Sequence, residues 1–265
     1  MNAIDQRTFL KCTGQGLAGL SFAPAALAKP LCQAEPYPSA PPVATFSIVG
    51  YDPKTGDLGV AVQSKFFAVG SVVPWAKAGV GAVATQSYTN VDYGPEGLER
   101  LAKGQSARET IDALTKADDN RRLRQLGIVD AKGRSASFTG SSCKHWAGHI
   151  EKPNFCAQGN ILTGEEVVRS MVSSYEQAQK KTGTGLCDWL ALALMDGQKA
   201  GGDSRGRQSA ALLVVRKNGG YAGGNDRFID LRVDDHKTPI TELLRLLSIH
   251  KKMFRRAHEN PPKAG

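Results

Sequence analysis

Thr45-Phe46-Ser47-Ile48-Val49-Gly50-Tyr51 and Leu58-Gly59-Val60-Ala61-Val62-Gln63-Ser64 are two runs of β-branched and apolar residues joined by Asp52-Pro53-Lys54-Thr55-Gly56-Asp57. Pro53 and Gly56 supply turn chemistry, so the runs are predicted to pair as a β-hairpin. Thr45 opens the first strand directly after a stretch with the marks of a removable leader. A cut after Ala44 would leave Thr45 with a hydroxyl and a free α-amine, placing nucleophile and general base on one residue.

The leader divides in two. Arg7 and Lys11 precede a mostly apolar stretch, Gly14 to Leu27, that ends in Ala26-Leu27-Ala28, a small-x-small pattern suited to signal peptidase. Residues 1–28 are therefore expected to be a signal peptide, and the protein periplasmic or secreted. Asp5 to Lys11 resembles a twin-arginine export motif with Gln6 in place of one arginine, which leaves the export route open. The apolar stretch is too short for a membrane span, and Lys29-Pro30 ahead of Cys32 does not suit a lipid anchor. Residues 29–44, rich in Pro and Ala and without an apolar period, read as a linker or propeptide. The remaining stretch of about 220 residues is enough for one sizeable core. A single domain over 45–258 with a tail at 259–265 is expected.

A formal charge of +9 raises nucleic acid or an anionic surface as a partner. The basic residues are scattered, however, apart from Arg121, Arg122 and Arg124 and the group Lys251, Lys252, Arg255 and Arg256. No aromatic residues interleave to stack bases, so these groups read as solvated helix faces and no nucleic-acid partner is expected. Of the five cysteines, Cys12 leaves with the signal. In an oxidising compartment Cys143 and Cys156, flanking a stretch able to fold as a hairpin, are candidates for a disulfide; the alternative is two buried thiols. A bridge from Cys32 to Cys187 would instead tether the leader.

Further along, Ser71 to Lys77 and Val80 to Ser87 are expected to pair across Ala78-Gly79. Helical periods follow at Pro95 to Leu101 and Ala107 to Ala117, the second opened by Ser106 and Glu109 as a capping box. Leu123 to Asp130 and Ser135 to Thr139 form the next strand pair, then come a short strand at Phe155 to Gln158 and helices at Glu165 to Gln179 and Cys187 to Ala200. Ser209 to Arg216 is predicted to pair with Tyr221 to Gly223 across Asn218-Gly219. Phe228 to Val233 reads as an edge strand and Thr241 to Arg256 as a closing helix. Hairpins and helices arriving in blocks point to layered sheets with helices outside. His145 and His149 stand four apart, but Gly148 and Pro153 argue against a helix there, so no metal is expected. Gly79 to Ala84 imitates a dinucleotide fingerprint without its acidic partner, and no other cofactor motif stands out.

From Thr45 to about His250 the chain resembles the family called domain of unknown function 1028, placed among the N-terminal-nucleophile (Ntn) hydrolase folds. The stretches that carry the resemblance include Gly59-Val60-Ala61-Val62-Gln63-Ser64-Lys65, Val73-Pro74-Trp75-Ala76, Gly79 to Gln86, Trp146-Ala147-Gly148-His149, Gln158-Gly159-Asn160 and Gly201 to Ser209. Asp226-Arg227 through Asp234-Asp235-His236 extends it. The fold this implies is α+β, a four-layer αββα sandwich of the Ntn-hydrolase type, and a homodimer.

Similarity to better understood Ntn hydrolases, such as the proteasome-type threonine enzymes, implies roles. Thr45 matches their nucleophile. Backbone amides at the end of the fourth strand, at Thr85, Gln86 or Ser87, would stabilise the oxyanion. Gln158-Gly159-Asn160 lies where those enzymes place a turn beside the nucleophile's amine; as an alternative these are simple turn-formers. Asp203 resembles the acidic residue supporting this end of the site, or else it braces its own loop with Arg205 or Arg207. Arg205 and Arg207 offer forks for a substrate carboxylate. One departure matters: the second strand ends Gln63-Ser64-Lys65, without the aspartate of proteasome-type chains, and the partner lysine near Ser71 is missing. Lys65 is either the substitute cation or a solvated side chain. The expectation is an exported amidohydrolase, without cofactor, acting through Thr45 on a small amide or peptide-like substrate. The rival is a noncatalytic module of the same fold that binds the cell wall.

Overall fold

The computed structural model describes Val43 and residues 45–259. The expected signal peptide, the rest of the leader with Cys32, and residues 260–265 lie outside the described residues. The opening hairpin forms as anticipated: β1 (Thr45–Tyr51) and β2 (Leu58–Ser64) pair antiparallel, with Thr45 opposite Ser64 and Tyr51 opposite Leu58. Asp52 closes the turn by accepting from the Lys54 amide and the Thr55 hydroxyl.

The chain continues through β3 (Pro74–Lys77), β4 (Gly81–Ser87), α1 (Tyr93–Ala102), α2 (Ala107–Lys116), β5 (Arg124–Asp130), β6 (Ser135–Thr139), β7 (Gly148–Lys152) and β8 (Phe155–Gly159). It ends with α3 (Glu166–Gln179), α4 (Leu186–Lys199), β9 (Ser209–Val215), β10 (Arg227–Val233), α5 (Pro239–Met253) and α6 (Arg255–Glu259). Two antiparallel sheets result, one in the order β10-β9-β2-β1-β8-β7 and one in the order β3-β4-β5-β6. The capping box of Ser106 and Glu109 is present at the start of α2.

Strand alternation sorts the side chains into layers. Phe46 and Ile48 of β1, Ala61 of β2 and Leu212 and Val214 of β9 join Met171, Tyr175, Leu190, Leu194 and Leu243 in one core, between the six-stranded sheet and helices α3, α4 and α5. Val83, Leu126 and Ile128 pack with Ile111 and Leu114 between the four-stranded sheet and α1 and α2. The opposite parity, Val49, Val60, Val62, Ala82, Ala84, Val129 and Leu213, forms a third core between the two sheets. Each fully buried aliphatic or aromatic side chain contributes about 1.5–3 kcal/mol, and near-continuous apolar runs in β2 and β9 reflect burial on both faces.

Three expectations are corrected. Tyr221–Gly223 is a 3-10 turn and not a strand; β9 pairs with β10 across a wider loop in which the Arg216 amide reaches the Asp226 carbonyl and the Gly220 amide the Asn225 carbonyl. Val69–Ser71 is likewise a 3-10 turn, entered through Ala68 at φ 53°, so β3 is shorter than its apolar run. The Cys143–Cys156 disulfide is not formed: Cys143, Cys156 and Cys187 are free thiols. β8 turns Cys156 into the layer between the sheets, its Sγ 3.8 Å from the Ile128 and Ala136 carbonyls, whereas the Cys143 Sγ lies 3.3 Å from the carbonyl of Arg124 at the start of β5. Burial pushes the thiols of Cys156 and Cys187 up to about 12.

Candidate active site

At one end of the layer between the sheets the apolar core gives way to polar side chains. Thr45 and Ser47 on β1, Gln86 on β4, Gln125 on β5 and Gln158 on β8 are all buried there, each on the parity that faces the opposite sheet. Ser47 Oγ donates to Gln86 Oε1 at 2.6 Å and accepts from Gln158 Nε2 at 2.7 Å, tying the two sheets together. Gln125 is the hub: its Oε1 accepts from Gln86 Nε2 and Asn160 Nδ2, both at 2.8 Å, and its Nε2 donates to the Gly159 carbonyl at 2.8 Å. Nε2 also lies 2.9 Å from Thr139 Oγ1, which meets Nδ1 of the exposed His149. Gly127 makes room for this arrangement, since a Cβ there would run into Gln158 Oε1.

Thr45 is fully buried at the mouth of the network. Its carbonyl accepts from the Asn160 amide at 3.0 Å and from Gln86 Nε2 at 3.4 Å. Its Oγ1 donates to the Val43 carbonyl at 2.7 Å and stands 3.3 Å from Ser64 Oγ. Ser87 exchanges two backbone hydrogen bonds with Val43. Ser87 at φ 71° and Ile161 at φ 53° are left-handed non-glycine residues. Such conformations cost of order 1–3 kcal/mol each, and Ser87 holds its own through the two main-chain bonds to Val43.

Beyond Ser64 lies a charged cluster. The Asp203 carboxylate is buried and accepts from the Lys65 amide at 3.0 Å, the Arg205 amide at 2.9 Å and Arg205 Nη2 at 2.9 Å. It thus fastens the loop ahead of β9 to the end of β2. The side chains of Lys65 and Arg207 are exposed.

The residues singled out in the sequence therefore fall in two groups. Thr45, Gln86, Gln158, Gly159 and Asn160 share one network, while Lys65, Asp203, Arg205 and Arg207 stand beside it. Lys65 contributes its main chain to Asp203, and the Thr85 hydroxyl turns away from the layer to the Asn90 carbonyl. The Thr85 amide is taken by the Val73 carbonyl, so of the three proposed oxyanion donors the Ser87 amide is the one directed at the segment beside Thr45. Sequence reasoning missed Ser47, Ser64 and Gln125. Their signal was a polar side chain on the inward parity of a buried strand, legible only once the facing sheet is known. Cys143 borders the site through Ser87; burial raises its thiol, with the Ser87 hydroxyl and the Gly140 amide opposing. Burial likewise lowers His149, against the pull of Glu151. Among the described residues no group of three or more His, Cys, Asp or Glu is placed to hold a metal, and no helix is long and apolar enough to cross a membrane.

Residues 45–243 match the model of DUF1028, a family of unknown function. The chain belongs to the DUF1028 family. The resemblance read from the sequence is thus borne out, and the family match opens at Thr45 itself. The crystal structure of protein SPO2555 from Silicibacter pomeroyi, also assigned to DUF1028, is similar at a TM-score of 0.70 and 28% identity, covering 78% of this chain and 89% of that one. Anbu, an ancestral β-subunit from Yersinia bercovieri, aligns over 83% of this chain and 99% of its own at a TM-score of 0.35 and 10% identity, too distant a likeness to carry an argument. No curated protein sequence matches this DUF1028 chain.

Proposed function

We propose that this DUF1028 protein is an exported amidohydrolase of the Ntn type, its two sheets and flanking helices being the αββα sandwich of that class, with Thr45 as nucleophile on a small amide or peptide-like substrate. The observation that carries the reading is the setting of Thr45. It is the first residue of β1 and of the family match, and its hydroxyl already donates to a carbonyl oxygen. Removal of the leader would add a free amine to the same residue. An α-amine titrates near 8 in water. The surrounding Ser47, Gln86, Gln125 and Asn160 are neutral and buried, and such surroundings favour its uncharged, proton-accepting form.

On this reading Thr45 Oγ1 bonds to the substrate carbonyl carbon as its proton passes to the α-amine. The Ser87 N–H, which now serves the Val43 carbonyl, faces the developing oxyanion. The C–N bond breaks as the amine returns the proton to the leaving nitrogen, and water then cleaves the ester on Thr45. Asp203, paired with Arg205, holds the Ser64–Lys65 end of β2 in place. One observation favours the rival, a noncatalytic cell-wall binder: in the uncut chain Thr45 is buried and its nitrogen is in a peptide bond.

The test is a β-lactone electrophile applied to chain that begins at Thr45, read by intact mass and fragment sequencing. A single acyl group on Thr45, lost in Thr45→Ala and kept in Thr45→Ser, is expected. Equal labelling of the alanine variant would remove the basis for the proposal.

A further inference from the structure

Val43, two residues ahead of Thr45, is held as a strand residue is held. Its N–H donates to the Ser87 carbonyl at 2.8 Å and its carbonyl accepts from the Ser87 N–H at 3.1 Å, an antiparallel bridge at the end of β4. The same carbonyl accepts from Thr45 Oγ1 at 2.7 Å. The Val43 side chain is 5% exposed and belongs to the apolar cluster between the sheets, with Val62, Val69, Val73 and Ala84. Ser87 keeps its left-handed conformation at the very residue whose N–H and C=O both receive this segment. Main-chain pairing with a strand residue gives affinity without regard to sequence, and the seat of the side chain gives selectivity.

We propose that the place of Val43 is a substrate subsite: after the leader departs, it receives an extended peptide or acyl amide bearing a branched aliphatic side chain, bound by strand addition to Ser87. The leader is then a bound analogue of that substrate, with a carbonyl already within hydrogen-bond reach of the Thr45 hydroxyl. The small aliphatic neighbours set the selectivity. A charged group in this seat is buried without a partner, and its desolvation opposes binding. The chemical consequence rests on the reading of Thr45 as nucleophile, but recognition at Ser87 does not.

The experiment separates the two. Full chain carrying Val43→Asp ejects the leader from its seat while Thr45 stays within a peptide bond, so no turnover is involved. Hydrogen exchange at the Ser87 amide is followed with and without acetyl-Pro-Pro-Val-Ala-amide, which repeats residues 41–44, and with the same peptide carrying Asp for Val. The expected result is fast exchange in the variant, slowed about tenfold by the valine peptide and unchanged by the aspartate peptide. Should Val43→Asp fail to fold, as judged by circular dichroism, Val43→Gly serves in its place. Undiminished Ser87 protection in the folded variant, no slowing by the valine peptide, or equal slowing by both peptides overturns the subsite. Loss of β-lactone labelling at Thr45 would instead count against the nucleophile alone.

Discussion

Replacing Gln125 by Leu keeps the side chain's approximate volume and removes the hub of the polar network. Two buried donors lose their acceptor, Gln86 Nε2 and Asn160 Nδ2, and the Gly159 carbonyl loses its side-chain donor. Each buried group left unpaired costs about 1–3 kcal/mol. Gln86 Nε2 retains its long contact with the Thr45 carbonyl at 3.4 Å, which holds its share to the low end. The expected destabilisation is therefore about 3–7 kcal/mol, a large part of the roughly 5–15 kcal/mol by which a domain is stable. Urea unfolding measures it, with an unchanged slope showing that both states keep their compactness. Thr139→Val, which removes one partner at the edge of the network, should cost about 1 kcal/mol or less. A loss below about 1 kcal/mol for Gln125→Leu would refute the view that these hydrogen bonds hold the two sheets in register.

Three further outcomes are expected. Arg216 and Asp57 form a buried two-bond ion pair, at 2.7 and 2.6 Å, with the guanidinium 3.8 Å from the centre of the Phe228 ring. Arg216→Met should therefore cost about 3–5 kcal/mol in urea unfolding by stranding the carboxylate, with much of that loss recovered in the double variant with Asp57→Asn. His258 is lowered to about 4, first by burial and then by His250, Lys251 and Arg216. The unfolded chain then binds more protons than the folded one between about 6.5 and 4, so stability contributed here is present at neutral pH and lost as pH falls through that window. His258→Gln should flatten this part of a plot of urea midpoint against pH, and an unchanged plot would count against it. Finally, iodoacetamide at pH 8 should spare Cys156 and Cys187 in native protein and modify both in urea, because burial holds both thiols near 12. Native labelling of either would contradict their burial.

How much of this was legible in the sequence depends on the range of the interaction. The first hairpin and the α2 cap appeared as anticipated because both are local, set by Pro53 and Gly56 in the one and by Ser106 and Glu109 in the other. The pairing of β9 failed to follow from Asn218-Gly219. Asn218 does adopt φ 55°, but its amide is drawn to the Asp226 side chain and the loop closes further out. The network around Thr45 was partly visible: the resemblance pointed to Gln86, Gln158 and Asn160, but not to Gln125 or Ser47. Their importance arises from two sheets meeting face to face, a contact between strands distant in sequence. The grip of Ser87 on Val43 was hidden for the same reason.

The account turns on whether Thr45 becomes the first residue of the working protein. Intact mass and N-terminal sequencing of the protein isolated from its own cells decide this directly. A chain beginning at Thr45 is the predicted result, since the chemistry requires the free amine and the subsite requires the departure of Val43. A stable chain beginning near Lys29, with Thr45 still inside a peptide bond, would contradict the account and leave ligand binding as the function to pursue.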